Sequence, residues 1–191
     1  MPVANSEQPV ALDFNIRPAT PADAANLARL RYEFRTELDS PVEAEGEFVK
    51  RCEPWMAKQL GSGGVWRCWV AESGAALVGT IWLQLIEKLP NPVGHLGFHG
   101  YISSVYVRPD LRGGGIGSAL MAVCLAECQA QAVDATFLWP TPRSRSLYQR
   151  HGFEVRDDLL VRSENRDQVI GHVAGLEGAE AQTLETGDAR A

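Results

Sequence analysis

The segment most suited to chemistry is Val105-Tyr106-Val107-Arg108-Pro109-Asp110-Leu111-Arg112-Gly113-Gly114-Gly115-Ile116-Gly117. It reads as a strand that enters a glycine-rich turn and then opens a helix. The first N–H groups of a helix have no partners inside it, and the helix start favours negative charge. Glycines let a ligand come close to those groups. The product is an anion cradle suited to a phosphate or pyrophosphate, with Arg112 adding charged donors. A Walker loop would end in Gly-Lys-Ser/Thr, which is missing here. A dinucleotide fingerprint would start its glycines directly after the strand, whereas Arg-Pro-x-x-Arg intervenes. The glycines alone also fit a tight strand–helix turn with no ligand.

Other reactive side chains are scattered. Cys52, Cys68, Cys124 and Cys128 form no Cys-x-x-Cys pair. Cys124 and Cys128 share one helix face with no histidine or third thiolate nearby, so the cysteines read as buried reduced thiols and no metal is expected. Candidate bases are Glu33, Glu87, His95 and His99, or a water held by Tyr101, Ser103 and Tyr106. The spacing singles out none of them. Trp55, Trp66, Trp69 and Trp82 are candidate walls of an acceptor pocket or plain core. Arg143, Arg145 and Arg150 form a basic cluster suited to a phosphate or to solvent.

The elements that must position these residues follow from hydrophobic period and breakers. Strands are predicted over 14–17, 65–71, 77–85, 101–107 and 135–139, with two short ones at 153–155 and 159–161 about a turn at Asp157-Asp158. Helices are predicted from Pro21 to about Arg35, from Ser40-Pro41 to Gly61, over 117–131 and over 144–150. Residues 87–100 read as a loop, a candidate lid. Residues 1–13 read as a flexible leader, 14–171 as one domain and 172–191 as a disordered tail. Hairpin-like and crossover connections together imply one α/β domain, a mixed twisted sheet flanked by helices.

Bulk properties narrow the function classes. The 191 residues suit one domain, and 45% apolar with 22% charged residues excludes a disordered chain. A net charge of -6 argues against duplex nucleic acid as a partner. No apolar run spans a bilayer, and the first residues lack a basic start followed by an apolar stretch, so a cytoplasmic location without membrane association is expected.

The cradle segment resembles the acyl-coenzyme A signature of the GCN5-related N-acetyltransferase (GNAT) superfamily, Gln/Arg-x-x-Gly-x-Gly/Ala, here Arg112-Gly113-Gly114-Gly115-Ile116-Gly117. A second family mark follows about thirty residues on, Leu147-Tyr148-Gln149-Arg150-His151-Gly152-Phe153. The resemblance covers about residues 14–162. It implies that backbone amides from Arg112 through Gly113, Gly114, Gly115, Ile116 and Gly117 to Ser118 hold the pyrophosphate of acetyl-coenzyme A. The strand Val105-Tyr106-Val107 then meets the pantetheine arm through backbone groups of Val105 and Val107, as if the arm were an added strand. Ser144, at the start of the second helix, lies beside the other side of the arm. Tyr148 is the implied general acid toward the departing thiolate, and the Val107 N–H the oxyanion donor. Many relatives carry asparagine seven residues before the tyrosine. Thr141 stands there here, leaving that contact open.

The reading is an acetyl-coenzyme A-dependent N-acetyltransferase that acts on the primary amine of a small molecule by direct attack in a ternary complex. One alternative acceptor is a protein N-terminus or lysine. Another reading is a binding module that senses acyl-coenzyme A without turnover. The resemblance also implies a homodimer as a partner.

Overall fold

The computed structural model describes residues 13–61, 63–90, 92 and 97–162. Its five strands are β1 (Asn15–Pro18), β2 (Trp66–Ser73), β3 (Ala76–Glu87), β4 (Phe98–Val107) and β5 (Val133–Phe137). They form one sheet in chain order, antiparallel except for the parallel pair β4–β5. Helices α1 (Ala24–Thr36) and α2 (Glu45–Gln59) join β1 to β2. Helix α3 (Ile116–Ala130) makes the β4–β5 crossover, and α4 (Arg145–Arg150) follows β5. The predicted mixed sheet flanked by helices is therefore present.

Burial explains the arrangement. In β2, Cys68 and Val70 join the core under α1 and α2, while Trp69 and Ala71 join the core under α3. Central β3 is covered on both faces, so residues 77–83 are all buried. In α1, Leu27, Leu30 and Phe34 form the inward stripe. The start of α1 is pinned by Asp23, whose carboxylate takes two 2.8 Å bonds from Arg17 of β1; Arg17 also reaches Glu72 of β2 at 2.7 Å.

Strand β4 carries the feature that shapes the site. Ser103 pairs with Trp82 and Tyr106 with Thr80, so Ser104 and Val105 together face Ile81, a β-bulge. Ser104 has φ 51°, a left-handed conformation unusual for serine. The extra residue exchanges the faces: Ile102 packs with the α3 core, whereas Tyr106 packs with the α1 core. Beyond the bulge β4 also leaves β5. Their pairing stops at Tyr101–Phe137, although β4 continues to Val107.

Several sequence expectations shift. β4 starts at Phe98, because residues 98–100 pair with both β3 and β5. Gly100 reads as a loop residue, yet it sits in the strand where a Cβ would come within 3.1 Å of the Thr136 side chain. β5 ends at Phe137, since β4 diverges there and no ladder partner remains. α2 begins at Glu45, with Glu45 and Glu47 in its first turn. The two short strands at 153–155 and 159–161 are not formed. Phe153 packs against the α3 core, but Val155 and Leu160 are 90% and 94% exposed. Runs of three residues that bury so little cannot offset the entropy of ordering them. The expected bend at Asp157-Asp158 is present. The leader up to residue 12, residues 163–171 and the tail 172–191 lie outside the described residues.

Candidate active site

The divergence of β4 from β5 opens a cavity of about 800 Å³ between them, floored by β4 and bounded by α1, the turn before α3, and α4. The Arg108 N–H donates to the Val78 carbonyl of β3 at 2.9 Å. By the two-residue period of a strand, the N–H groups of Val105 and Val107 therefore face the free edge, toward the cavity. The Val107 carbonyl on that edge accepts a 2.9 Å bond from Arg112 Nε.

The glycine turn closes one end. Gly113 and Gly115 have φ 84° and 88°, which side-chain-bearing residues rarely adopt, and a Cβ on either would meet nothing within 4 Å. Gly115 is the N-cap of α3, so the first N–H groups of a fifteen-residue helix open onto this space. Gly117 lets α4 come near, since a Cβ there would lie 3.4 Å from Leu147.

Charge is distributed unevenly. Glu37, just past the end of α1, accepts bonds from Arg112 at 2.8 and 2.9 Å, from Arg143 at 3.2 Å and from the Tyr106 hydroxyl at 2.9 Å. Partial burial acts against ionisation of Glu37, but Arg112, Tyr106 and Arg143 hold its carboxyl below the usual range. Burial, then Glu37, pushes the Tyr106 phenol up. Tyr148 on α4 lines the cavity at 7% exposure. Burial raises its pKa, while the nearby Ser144 hydroxyl pulls the other way. Five arginines line the cavity, Arg31, Arg35, Arg112, Arg143 and Arg150, and no aspartate, glutamate or histidine does so among the described residues.

Against known proteins, residues 28–153 match the acetyltransferase (GNAT) family, about two thirds of the 191 residues. The chain belongs to the GNAT acetyltransferase family. With that membership comes the general activity, acetyl transfer that depends on acetyl-coenzyme A. Among solved structures, a GCN5-related N-acetyltransferase from Ralstonia eutropha is 26% identical, with a TM-score of 0.65, over 80% of this chain and 100% of that one. A protein from Clostridium acetobutylicum described as a predicted acetyltransferase, solved with acetyl-CoA, is 21% identical with a TM-score of 0.61, over 79% and 96%. Glucosamine-6-phosphate N-acetyltransferase from Arabidopsis thaliana is 17% identical with a TM-score of 0.59, over 80% and 99%. No curated protein matches the sequence significantly.

In this GNAT acetyltransferase the cavity gathers most of the residues read from the sequence. Val105, Val107, Arg112, Gly113, Gly115, Ile116, Gly117, Ser118, Thr141, Ser144 and Tyr148 all line it. Tyr106 lines it too, but its hydroxyl is turned to Glu37 and its ring lies 5.5 Å from that of Phe34. Its one donor is thus committed to Glu37. Gly114 is exposed in the turn. Thr141 caps the short helical turn at 142–144: its hydroxyl lies 2.9 Å from Ser144 Oγ, which also accepts from the Thr141 N–H at 2.9 Å. The Thr141 hydroxyl is thereby engaged at the helix start.

Of the candidate bases, Glu33 is held by Arg108 at 3.0 and 3.2 Å and does not line the cavity. Glu87 and His99 sit at the far end of the β3–β4 ladder. His95 lies outside the described residues. Tyr101 and Ser103 do line the cavity, their hydroxyls 3.4 Å apart. Cys68, Cys124 and Cys128 are buried away from it, and among the described residues no three metal-binding side chains are grouped. Trp55, Trp66 and Trp82 cluster with rings 5.9 to 6.2 Å apart and Trp69 is core, so none lines the cavity.

Sequence reasoning missed Arg31, Arg35, Ser104 and Trp139. Trp139 packs edge-on at 5.1 Å against Tyr101 where β4 and β5 part. For Arg31 a signal existed: it lies four residues after Leu27 and three before Phe34, within the apolar stripe of α1.

Proposed function

We propose that the enzyme transfers the acetyl group of acetyl-coenzyme A to the primary amine of a small molecule, by direct attack with both substrates bound. The observation that carries this is one cavity that joins a free strand edge, a helix N-terminus and Tyr148 to a separate wall from α1 and Trp139. Such a space admits two reactants side by side and turns their encounter into an intramolecular event.

The donor half fits acetyl-coenzyme A. The open turn over Gly113 and Gly115 suits the pyrophosphate, with N–H donors from Gly113 to Ser118, and Arg112 adds charge. The free β4 edge at Val105 and Val107 suits the pantetheine amides, and Ser144 flanks the opposite side. When bound, acetyl-coenzyme A supplies an activated acyl carbon and a thiolate leaving group. In this reading the Val107 N–H donates to the thioester oxygen. Tyr148 holds its proton at neutral pH, since burial raises its pKa, and gives it to the departing sulfur. A water held beside the Tyr101 and Ser103 hydroxyls takes the proton released by the amine. Cys68 is no nucleophile: burial pushes its thiol far up, and it does not reach the cavity.

Among the described residues five arginines and no carboxylate line the cavity, which disfavours a peptide rich in basic residues and favours a small acceptor over a protein. The first test is calorimetric titration with acetyl-coenzyme A, followed by thiol release across an amine panel. Saturable binding with transfer is expected. No binding by the folded protein would overturn the reading. Binding without thiol release across the panel would make it a sensor of acyl-coenzyme A.

A further inference from the structure

Arg31 projects from the inward stripe of α1 to the cavity wall. Its Nη1 donates to Ser104 Oγ at 2.8 Å, and its guanidinium lies 5.8 Å from the Phe34 ring centre. No ion pair among the described residues includes Arg31 or Arg35, and both line the cavity. On the donor side, by contrast, Arg112 and Arg143 share the single carboxylate of Glu37. Desolvation, then the nearby Arg35, works against the charge on Arg31. A half-buried guanidinium whose one polar contact is a serine has donors to spare, in the planar fork that matches carboxylate and phosphate oxygens.

Placement adds to this. Arg31 lies six residues before Glu37, about 9 Å along the α1 axis. Its partner Ser104 sits on the bulge, one residue before Val105 and three before Val107. An anion held by Arg31 is therefore beside the free β4 edge and apart from the pyrophosphate turn.

Resting on the acetyltransferase reading, we propose that the acceptor is an amine that also carries an anionic group, a carboxylate or phosphate, and that Arg31, with Arg35 beside it, binds that group. The chemistry is self-consistent. An anionic group neutralises the uncompensated charge, while the guanidinium groups disfavour the ammonium form and so help the amine to reach its reactive state. The transfer forms an N–C amide bond and breaks the C–S thioester bond; the sulfur takes a proton from Tyr148, and the proton given up by the nitrogen leaves through water, from which the Tyr148 phenol is restored.

The test is thiol release with matched acceptors: α-amino acids against their methyl esters, phosphorylated amino sugars against unphosphorylated ones, and polyamines. The first two arms distinguish carboxylate from phosphate. The anionic member of at least one pair should show kcat/KM higher by about 10- to 100-fold. Arg31→Met should raise the KM for that acceptor by a similar factor, leaving acetyl-coenzyme A affinity unchanged and altering transfer to its neutral counterpart by a much smaller factor. Arg31→Lys should retain part of the preference, and Arg35→Gln provides a second variant if Arg31→Met does not fold. Preference for neutral or cationic amines, or an unchanged KM in Arg31→Met, overturns the proposal while the acetyltransferase reading stands. Loss of acetyl-coenzyme A binding, or no transfer to any amine, defeats both.

Discussion

On the α3 side of the cavity, the ligand-facing groups are backbone N–H groups and glycines of one continuous turn. On the α1 side they are guanidinium, hydroxyl and aromatic groups brought together from α1, the β4 bulge and the end of β5. The first half is fixed by backbone conformation and answers to charge and hydrogen bonding common to every molecule of the donor. The second half is fixed by side chains, so each can change without disturbing the cradle. Arg112 and Arg143 meet Glu37 on the donor side, whereas Arg31 and Arg35 meet no carboxylate among the described residues. On the proposed function, a general donor half thus stands apart from a particular acceptor half.

The largest effect should come from Gly115→Glu. It forces a side chain into a left-handed position and puts negative charge at the α3 N-terminus. Calorimetry should show acetyl-coenzyme A affinity lower by roughly 100-fold or more, with the fold retained by circular dichroism. A normal affinity would break the donor assignment. Next comes Tyr148→Phe, expected to lower kcat by about 100-fold with donor affinity unchanged. A general acid works while protonated, and burial raises this pKa. The alkaline limb of the wild-type profile should therefore lie above the usual tyrosine range near pH 10 and vanish in the variant. Arg31→Met follows, at about 10- to 100-fold on acceptor KM alone.

A smaller effect sharpens the comparison through stability. Arg17 holds the Asp23 carboxyl down to about 2, and Asp23 anchors the start of α1. A depressed carboxyl contributes stability that is full above its unfolded pKa near 3.8 and is lost as pH falls toward 2. Asp23→Asn should cost about 1–2 kcal/mol at pH 7, after allowance for solvent screening, and the difference should shrink below pH 4. Denaturant melts across pH check this. If α1 loosens, acceptor KM should rise before donor affinity falls.

The donor half was legible because it is local. Arg112 to Ser118 occupy one turn, and glycine spacing reports the backbone directly. A second local motif pointed to Tyr148, which lines the cavity. The acceptor half was not legible because its contacts are remote in sequence: Arg31 and Ser104 are 73 residues apart, and Tyr101 meets Trp139 across the β4–β5 split. Strand period gave β2 and β3 closely. It misjudged the ends of β4 and β5, where Gly100 and the loss of a ladder partner decide the outcome. It also predicted strands at 153–155 and 159–161 from apolar composition alone, where no burial supports them.

The left-handed Ser104 carries a consequence for protein engineering. Glycine would occupy its φ of 51° without steric cost, so Ser104→Gly relieves roughly 1 kcal/mol of backbone strain, set against the greater chain entropy of glycine. It would also remove the hydroxyl that orients Arg31. A directed-evolution campaign scored on thermal tolerance alone would accept that substitution wherever the relief exceeds the entropy, and lose acceptor selectivity in the same step.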